Sequence, residues 1–111
     1  MDYPAHQVRL IPLYAQTLVY FIASRKMKHI WHENLPNLMD EKNKRSELCH
    51  GLSSVGKAMH TWHSQETVFE CRRACGGMGY SAYATFTHML QDNDIQQTWE
   101  GDNNVLLQQT A

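Results

Sequence analysis

Residues 7–33 carry one uninterrupted helical pattern that is apolar on more than one face. Five of its apolar residues repeat at spacings of three and four, which places them on one face of an α-helix: Val8, Ile11, Ala15, Leu18 and Ile22. Five more populate the other faces: Leu10, Leu13, Tyr14, Val19 and Phe21. A helix that is apolar most of the way round has to be covered on several sides. The sequence therefore predicts a long helix with several packing partners and a local kink at Pro12.

The signals at the ends of this pattern predict where the first helix begins and stops. Residues 2–4, Asp-Tyr-Pro, indicate a helix start, with Asp2 as the candidate N-cap and proline tolerated in the first turn. Residues 34–37 contain two asparagines and a proline, and these end the helix.

Three further helices are predicted downstream. The second runs from near Ser46 to Cys75 and is stopped by the glycines that follow it. Its apolar residues keep the alternating spacing: Leu48, Leu52, Val55, Met59, Trp62 and Phe69. A short helix is expected over 82–90, a loop over 92–101, and a final helix from Asp102 or Asn103.

Together these elements predict an all-α fold, a fragment of a helical bundle with two long helices, a short helix and a final C-terminal helix. Helices of nearly thirty residues are about 40 Å long, and a pair of them covers only one stripe of each partner. The pattern over 106–111 also stops in mid-helix without a cap. We therefore expect a truncated domain or an obligate partner.

Composition excludes several classes of protein. The formal net charge is -1, which argues against a nucleic-acid binder because phosphate neutralisation needs a basic excess. The charge run over 40–45 mixes both signs and predicts a solvated connector. No apolar stretch reaches the roughly 18 residues of a membrane span, and the first residues are not those of a secretory signal. The three cysteines are an odd number, which favours reduced thiols.

The seven histidines suggest a metal site, but their spacing does not support one. The closest pairs are His29 with His32 and His60 with His63, and neither zinc-binding pattern, Cys-x-x-Cys or His-Glu-x-x-His, is present. We therefore predict no metal. Four other residues are interpreted as packing residues: Cys71 and Cys75 as buried small apolar residues, and Trp31 and Trp62 as core anchors.

Residues 76–80, Gly-Gly-Met-Gly-Tyr, are the first stretch that suggests chemistry. A helix cap followed by a turn explains one or two of these glycines. The third favours a second interpretation, in which a phosphate or sugar approaches backbone that has no Cβ. The stretch follows a helix and has the wrong spacing for the strand-linked Gly-x-Gly-x-x-Gly nucleotide motif.

Residues 98–104, Thr-Trp-Glu-Gly-Asp-Asn-Asn, are the second such stretch. A helix start explains Asp102 and the asparagines, because an acid is favoured at the positive end of a helix. It does not require Glu100, which lies between a bulky aromatic residue and a glycine. A carboxylate beside an aromatic wall is typical of a general base.

The two stretches in this order resemble a known family. Residues 70–80 are Glu-Cys-Arg-Arg-Ala-Cys-Gly-Gly-Met-Gly-Tyr, and residues 98–110 are Thr-Trp-Glu-Gly-Asp-Asn-Asn-Val-Leu-Leu-Gln-Gln-Thr. They resemble the acyl-CoA oxidase family, which commonly has Glu-Cys-Arg-x-Ala-Cys-Gly-Gly-His-Gly-Tyr and Thr-Tyr-Glu-Gly-Asp-Asn-x-Val-Leu-Leu-Gln-Gln-Thr. Residues 2–12 resemble that family's helix opening, so the resemblance covers essentially the whole chain. The related acyl-CoA dehydrogenases more often have Glu-Gly-Thr.

The resemblance implies that residues 1–111 are the C-terminal helical domain of a peroxisomal acyl-CoA oxidase, without the upstream domains that bind FAD and the acyl chain. It implies that Glu100 is the catalytic base, which takes the α-proton of acyl-CoA while a hydride leaves the β-carbon for FAD. Oxygen then reoxidises the flavin and yields hydrogen peroxide.

The same resemblance implies binding residues and a partner. Seven positions match contacts to FAD: His6, Gln7, Arg73, Gly76, Gly77, Asp102 and Asn104. Trp99 and Gly101 flank the base on the substrate side. The glycine-rich stretch matches a segment that contacts the FAD of a neighbouring subunit, which implies a homodimer.

Two departures and two alternatives stay open. Met78 stands where the family usually has histidine and Trp99 where it usually has tyrosine, which leaves the acyl chain-length preference open. One alternative is an acyl-CoA dehydrogenase that passes electrons to an electron-transfer flavoprotein. The other is a non-catalytic helical interaction module derived from an oxidase. In every case we expect the isolated chain to be inactive.

Overall fold

The chain is described here from a computed structural model that covers residues 2–37 and 44–111. Within these ranges it forms four α-helices: α1 (Pro4–Asn34), α2 (Lys44–Ala74), α3 (Phe86–Ile95) and α4 (Asn103–Thr110). Short 3-10 turns occupy Leu35–Asn37, Gly76–Tyr80 and Ala82–Ala84. The described ranges contain no strand, so the predicted all-α class is confirmed. The predicted connector over 40–45 lies mostly outside the described residues.

Helix α2 is the centre of the structure, because α1, α3 and α4 all pack against it. Helix α1 runs beside it, and α4 returns along it, from Asn103 beside Ala58 to Thr110 beside Gly51. The molecule is elongated, with extents of 55 × 26 × 24 Å. No helix in the described ranges has the length and apolar character that crossing a membrane would require.

The buried core is small and unusually polar. Among the described residues only three apolar side chains are buried: Cys49, Ala58 and Val68. Four polar ones are buried with them: Asn34, Ser54, His63 and Asn103. Because buried polar groups cost free energy unless they are hydrogen-bonded, the hydrogen bonds of Asn34, His63 and Asn103 to neighbouring elements favour one docking of these helices.

Aromatic and polar side chains form part of the contact between α1 and α2. The Tyr20 ring lies 4.9 Å from the His60 ring and 5.0 Å from the His63 ring, measured between centroids. Thr17 Oγ1 lies within hydrogen-bond distance of His63 Nε2, at 2.8 Å. Burial, and then the neighbouring His63, lower the pKa of His60, so the neutral form of that ring is favoured.

The five predicted stripe residues of α1 are not buried by the other described residues, in agreement with the expectation that this helix has more apolar surface than one partner covers. All five stripe residues of α1 are exposed, with Val8 75% and Ile22 67% accessible. The face of α1 that meets α2 instead carries Thr17, Tyr20 and Met27, with Met27 against Gly56. Because α1 is apolar on several faces, its periodicity does not indicate which face packs against α2. In the structure Gly56 of α2 leaves room for the Met27 side chain to approach.

The packing expectations for other residues are met only in part. In the second predicted stripe Leu52, Val55 and Trp62 are half-buried, whereas Leu48, Met59 and Phe69 are exposed. Trp31 is 41% exposed, so it is no core anchor, whereas Trp62 is half-buried. Cys75 is exposed and Cys71 half-buried, and all three cysteines are free. Burial is the main cause that raises the pKa of Cys71.

The predicted helices are present, but the first residues of α1 and α3 differ from the prediction. Tyr3, not Asp2, is the N-cap of α1, and the helix continues through Pro12. The predicted short helix begins later, at Phe86, because Thr85 has a left-handed backbone with φ 59°. It also extends to Ile95, into the predicted loop.

The exposed stripe of α1 generates a prediction about association. We expect the isolated chain to self-associate, because contiguous apolar surface is removed from water when it meets a second surface. Replacing Ile11 and Leu18 with glutamate should weaken association at least about tenfold, since burying each such side chain contributes about 1.5–3 kcal/mol. Sedimentation velocity measures the effect.

The matched control for this experiment is the pair Gln91→Glu and Gln108→Glu, which adds the same two charges at exposed polar positions of α3 and α4. This control should associate like the parent chain. A monomeric parent chain at high concentration, or equal loss in both double variants, would contradict the prediction.

Candidate active site and cofactor-contact region

The glycine-rich stretch forms a tight 3-10 turn directly after α2. Gly76 has φ +58°, the left-handed conformation that glycine adopts without strain. A Cβ added at Gly79 would overlap the carbonyl oxygen of Arg72, so this glycine is required by packing alone. Added Cβ atoms at Gly76 and Gly77 would meet nothing within 4 Å. Gly79 is therefore required by packing and Gly76 by its left-handed backbone, whereas Gly77 has neither constraint and faces open space.

The start of α1 is tied to this turn by its polar residues. His6 Nε2 donates to the carbonyl oxygen of Ala74 at 3.1 Å. Arg9 and Arg73 both bind Glu70, at 2.8 Å and 2.7 Å. The hydrogen bond from Arg9 is the largest cause that lowers the pKa of Glu70, and the charge of Arg73 adds to it. The contact is thus present above the ordinary glutamate pKa and is lost as pH falls through the lowered value.

Arg72, at the end of α2, packs against the last residue of the turn. Its guanidinium lies over the Tyr80 ring, 4.1 Å from the centroid. Its Nε is buried and has no hydrogen-bond partner among the described residues. The predicted contacts His6, Arg73, Gly76 and Gly77 are therefore brought together at one end of the molecule, with Gln7 next to His6 in the first turn of α1.

Glu100 lies on a second loop, between α3 and α4. It is exposed and has φ 56°, and Gly101 follows with φ +105°. Left-handed backbone is uncommon for a residue other than glycine and is typical of functional sites. Within the described ranges the Glu100 carboxylate makes no hydrogen bond or ion pair. This carboxylate is therefore exposed and lies on left-handed backbone.

The residues next to Glu100 make hydrogen bonds within the loop and to α4. Trp99 is half-exposed, and its indole Nε1 donates to Gln96 Oε1 at 2.9 Å. Asp102 is the N-cap of α4, where its carboxylate accepts from the backbone N–H of Asn104 at 2.9 Å. The prediction that the final helix begins at Asp102 or Asn103 is confirmed.

A polar network under this loop was not found from the sequence. Lys57 Nζ donates to Gly101 O at 2.6 Å and to Asn103 Oδ1 at 2.8 Å. Asn103 is 1% exposed, and its Nδ2 donates to Thr61 Oγ1 at 2.9 Å and to Ala58 O at 3.4 Å. No local pattern connects Lys57 with residues so far along the chain. An asparagine one residue after a helix cap was the only available signal.

The predicted site residues therefore form two groups rather than one. Asp102, Asn104 and the Glu100 loop lie near Ala58 of α2, whereas the glycine turn follows Ala74. These two points of α2 are about 24 Å apart along the helix axis at its usual rise per residue. A single small ligand therefore cannot contact both groups of residues within one chain.

No metal site is formed by the candidate residues. Within residues 2–37 and 44–111, no three His, Cys, Asp or Glu side chains converge in a way that could hold a metal ion. His29 instead lies 3.2 Å from Glu33, one turn along the same helix.

The chain is similar to proteins of a known family over its whole length. The family model described as "Acyl-CoA oxidase, C-alpha1 domain" matches residues 1–111. The chain belongs to the acyl-CoA oxidase family. In general terms this family implies a flavin cofactor. No solved structure matches the chain.

Three curated relatives illustrate the similarity. The chain is 41% identical to "Acyl-coenzyme A oxidase 3, peroxisomal" of Arabidopsis thaliana, covering 100% of the chain and 15% of that protein. It is 37% identical to "Acyl-coenzyme A oxidase" of Komagataella pastoris, covering 96% of the chain and 16% of that protein. It is 37% identical to "Peroxisomal acyl-coenzyme A oxidase 3" of Homo sapiens, covering 100% of the chain and 17% of that protein. The chain thus spans a small part of these relatives.

The difference in packing between Gly79 and Gly77 gives a prediction about stability. Gly79→Ala should destabilise the chain by about 1–3 kcal/mol, because the new Cβ overlaps the Arg72 carbonyl and the turn has to shift. Gly77→Ala should change stability by less than about 0.5 kcal/mol, because its Cβ enters open space. Urea unfolding followed by circular dichroism measures both variants. Equal effects at the two positions would contradict the distinction.

Proposed function

We propose that this chain is the segment of a flavin-dependent acyl-CoA oxidase that supplies the catalytic base. The reaction is the α,β-desaturation of acyl-CoA to trans-2-enoyl-CoA with formation of hydrogen peroxide, the first step of peroxisomal fatty acid β-oxidation. The observation that carries the proposal is Glu100, an exposed carboxylate on left-handed backbone at the family's base position. The names of two of the relatives described above support a peroxisomal location.

In the proposed reaction Glu100 removes the proton from the carbon next to the thioester. That proton is weakly acidic, so the base has to be positioned and water has to be kept away. Trp99 supplies an apolar wall beside the carboxylate, and Gly101, with φ +105°, lets the backbone turn directly after the base on the substrate side. A bound FAD would accept the hydride from the β-carbon and pass the electrons to oxygen.

The residues of the glycine turn fit part of such a cofactor. Gly76 and Gly77 leave their backbone uncovered, and Arg73 provides a cation whose side chain is 53% exposed. Backbone without Cβ next to an arginine is suited to a phosphate or a ribose. We infer that His6, Gln7, Arg73, Gly76 and Gly77 contact FAD.

The separation of the two groups supports the proposal of a homodimer. The glycine turn and the Glu100 loop lie about 24 Å apart along α2, by the usual rise of a helix. Two groups so far apart are compatible with contacts to the cofactors of two different subunits. Asp102 and Asn104, which follow the base in the sequence, would then contact the FAD whose substrate reacts with Glu100 of the same chain. The glycine turn would contact the FAD of the other subunit.

The alternatives are distinguished by the electron acceptor. The relatives described above are named oxidases, which supports oxygen rather than an electron-transfer flavoprotein. The exposed face of α1 supports docking of this chain onto other parts of an oxidase, and it does so equally for a catalytic and a non-catalytic chain. Peroxide formation by the full-length protein decides between these cases.

The role of Glu100 gives the main prediction for activity. In the full-length oxidase Glu100→Gln should lower kcat by about 10²–10⁴-fold, because the amide cannot accept the α-proton. FAD content and acyl-CoA binding should be unchanged. Turnover is measured as peroxide release, and substrate binding by titration of the flavin spectrum.

The matched control is Glu66→Gln, which removes a carboxylate from the exposed surface of α2. It should retain the parent rate. If Glu100→Gln kept more than about a tenth of that rate, outside the usual range for a lost base, another group would be the base.

The open backbone at Gly77 gives a separate prediction for the cofactor. In the full-length oxidase Gly77→Leu should lower the FAD content of the purified protein while the helical circular dichroism signal stays the same. The reason is that a leucine would fill space that the chain itself leaves empty. Ala82→Leu, at a nearby exposed position, is the control and should keep its flavin. Normal FAD content in Gly77→Leu would contradict the proposed contact.

A further inference from the structure

The backbone at Glu100 is held in a conformation that the loop alone does not favour. Glu100 and Gly101 are both left-handed in φ, at 56° and 105°. For a residue that carries a Cβ, this conformation persists only where surrounding contacts impose it. The carboxylate of the proposed base therefore depends on contacts made by its neighbours.

Two contacts within the loop and α4 contribute. The backbone N–H of Asn103 donates to the carbonyl oxygen of Gln97 at 3.1 Å, which closes the loop. The Leu106 side chain lies against Gly101, where an added Cβ would come within 2.9 Å of it. Both contacts close the loop on itself and on α4, and neither attaches it to the long helices.

The contact from α2 is made by Lys57. Its ammonium group donates to Gly101 O at 2.6 Å, one residue after the proposed base, and to Asn103 Oδ1 at 2.8 Å. Lys57 is half-buried, and it lies in the middle of the helix on which α1, α3 and α4 pack. One side chain thus ties the loop backbone directly to α2, the helix that α1, α3 and α4 all contact.

We propose that Lys57 is a positioning residue for the base, an inference that rests on the proposed function of Glu100. Lys57 fixes the backbone next to Glu100 and thereby the direction from which the carboxylate approaches the α-carbon. It acts through Gly101 and Asn103. Misplacement of a reacting group by about 1 Å can cost about 10²-fold in rate, so a tie of this kind affects turnover.

A role limited to docking α4 predicts a different result. Asn103 also holds α4 on α2 through its Nδ2, which donates to Thr61 and Ala58, and these two bonds do not involve Lys57. The distinctive contact of Lys57 is the one to Gly101 O. Loss of Lys57 should therefore leave α4 docked and loosen the Glu100 loop, so that kcat falls while substrate binding and folding are retained.

The test compares Lys57→Met with Lys26→Met in the full-length oxidase. Lys26 is exposed on α1, so its replacement removes the same charge away from the loop. We expect Lys57→Met to lower kcat about ten- to hundredfold at unchanged KM and FAD content. We also expect a larger kinetic isotope effect with α-deuterated acyl-CoA, because proton removal becomes more rate-limiting. Lys26→Met should behave like the parent.

The outcomes separate this inference from the proposed function. Parent-like kcat and isotope effect in Lys57→Met, or a rise in KM alone, would overturn the positioning role. If Lys57→Met does not fold, the comparison passes to Lys57→Gln, which keeps a polar side chain of similar shape. A reduced kcat at unchanged KM then supports the proposal, and a parent kcat overturns it. Glu100→Gln is measured in the same experiment. If Glu100→Gln stays active, the proposed function is wrong. If Glu100→Gln is inactive and Lys57→Met has parent-like kinetics, only the inference about Lys57 is wrong.

Discussion

The buried amide of Asn103 is the contact on which the arrangement of the candidate active site depends. It is almost fully excluded from solvent, and it hydrogen-bonds Thr61 and Ala58 of α2 while it accepts from Lys57. A buried amide left without partners is costly, so these bonds specify one position of α4 along α2. Because Asn103 begins α4 only three residues after Glu100, fixing this amide also fixes where the Glu100 loop leaves the helix bundle.

The second constraint is that the helices have more apolar surface than they bury among themselves. Few apolar side chains of the described residues are fully buried, while Val8, Val19, Phe21 and Ile22 are each at least 60% exposed. Exposed apolar surface of this kind is typical of an interaction surface. The chain covers about a sixth of the relatives compared with it, and the proposal of a segment within a larger oxidase gives these faces partners.

The parts that the sequence predicted are those coded locally. Helix class, the stop before Gly76 and the start of the final helix at Asp102 or Asn103 each depend on a few adjacent residues, and all three were predicted. The face of α1 that meets α2 could not be predicted, because the helix is apolar all round and its contact is set by Gly56, His60 and His63 on another helix. Lys57 was missed for the same reason: it meets Gly101 only after α2 and α4 have docked. Family resemblance located Glu100, but it gave no indication of the left-handed backbone that presents its carboxylate.

The most direct test of Glu100 as the base is a crystal structure of the full-length oxidase with FAD and a non-reactive acyl-CoA analogue. The predicted result is that a Glu100 carboxylate oxygen lies within about 3.5 Å of the analogue's α-carbon, the distance typical of a reactive arrangement. Lys57 should still contact Gly101 O in that structure. A different carboxylate or histidine at the α-carbon, with Glu100 turned away from the substrate, would contradict the assignment.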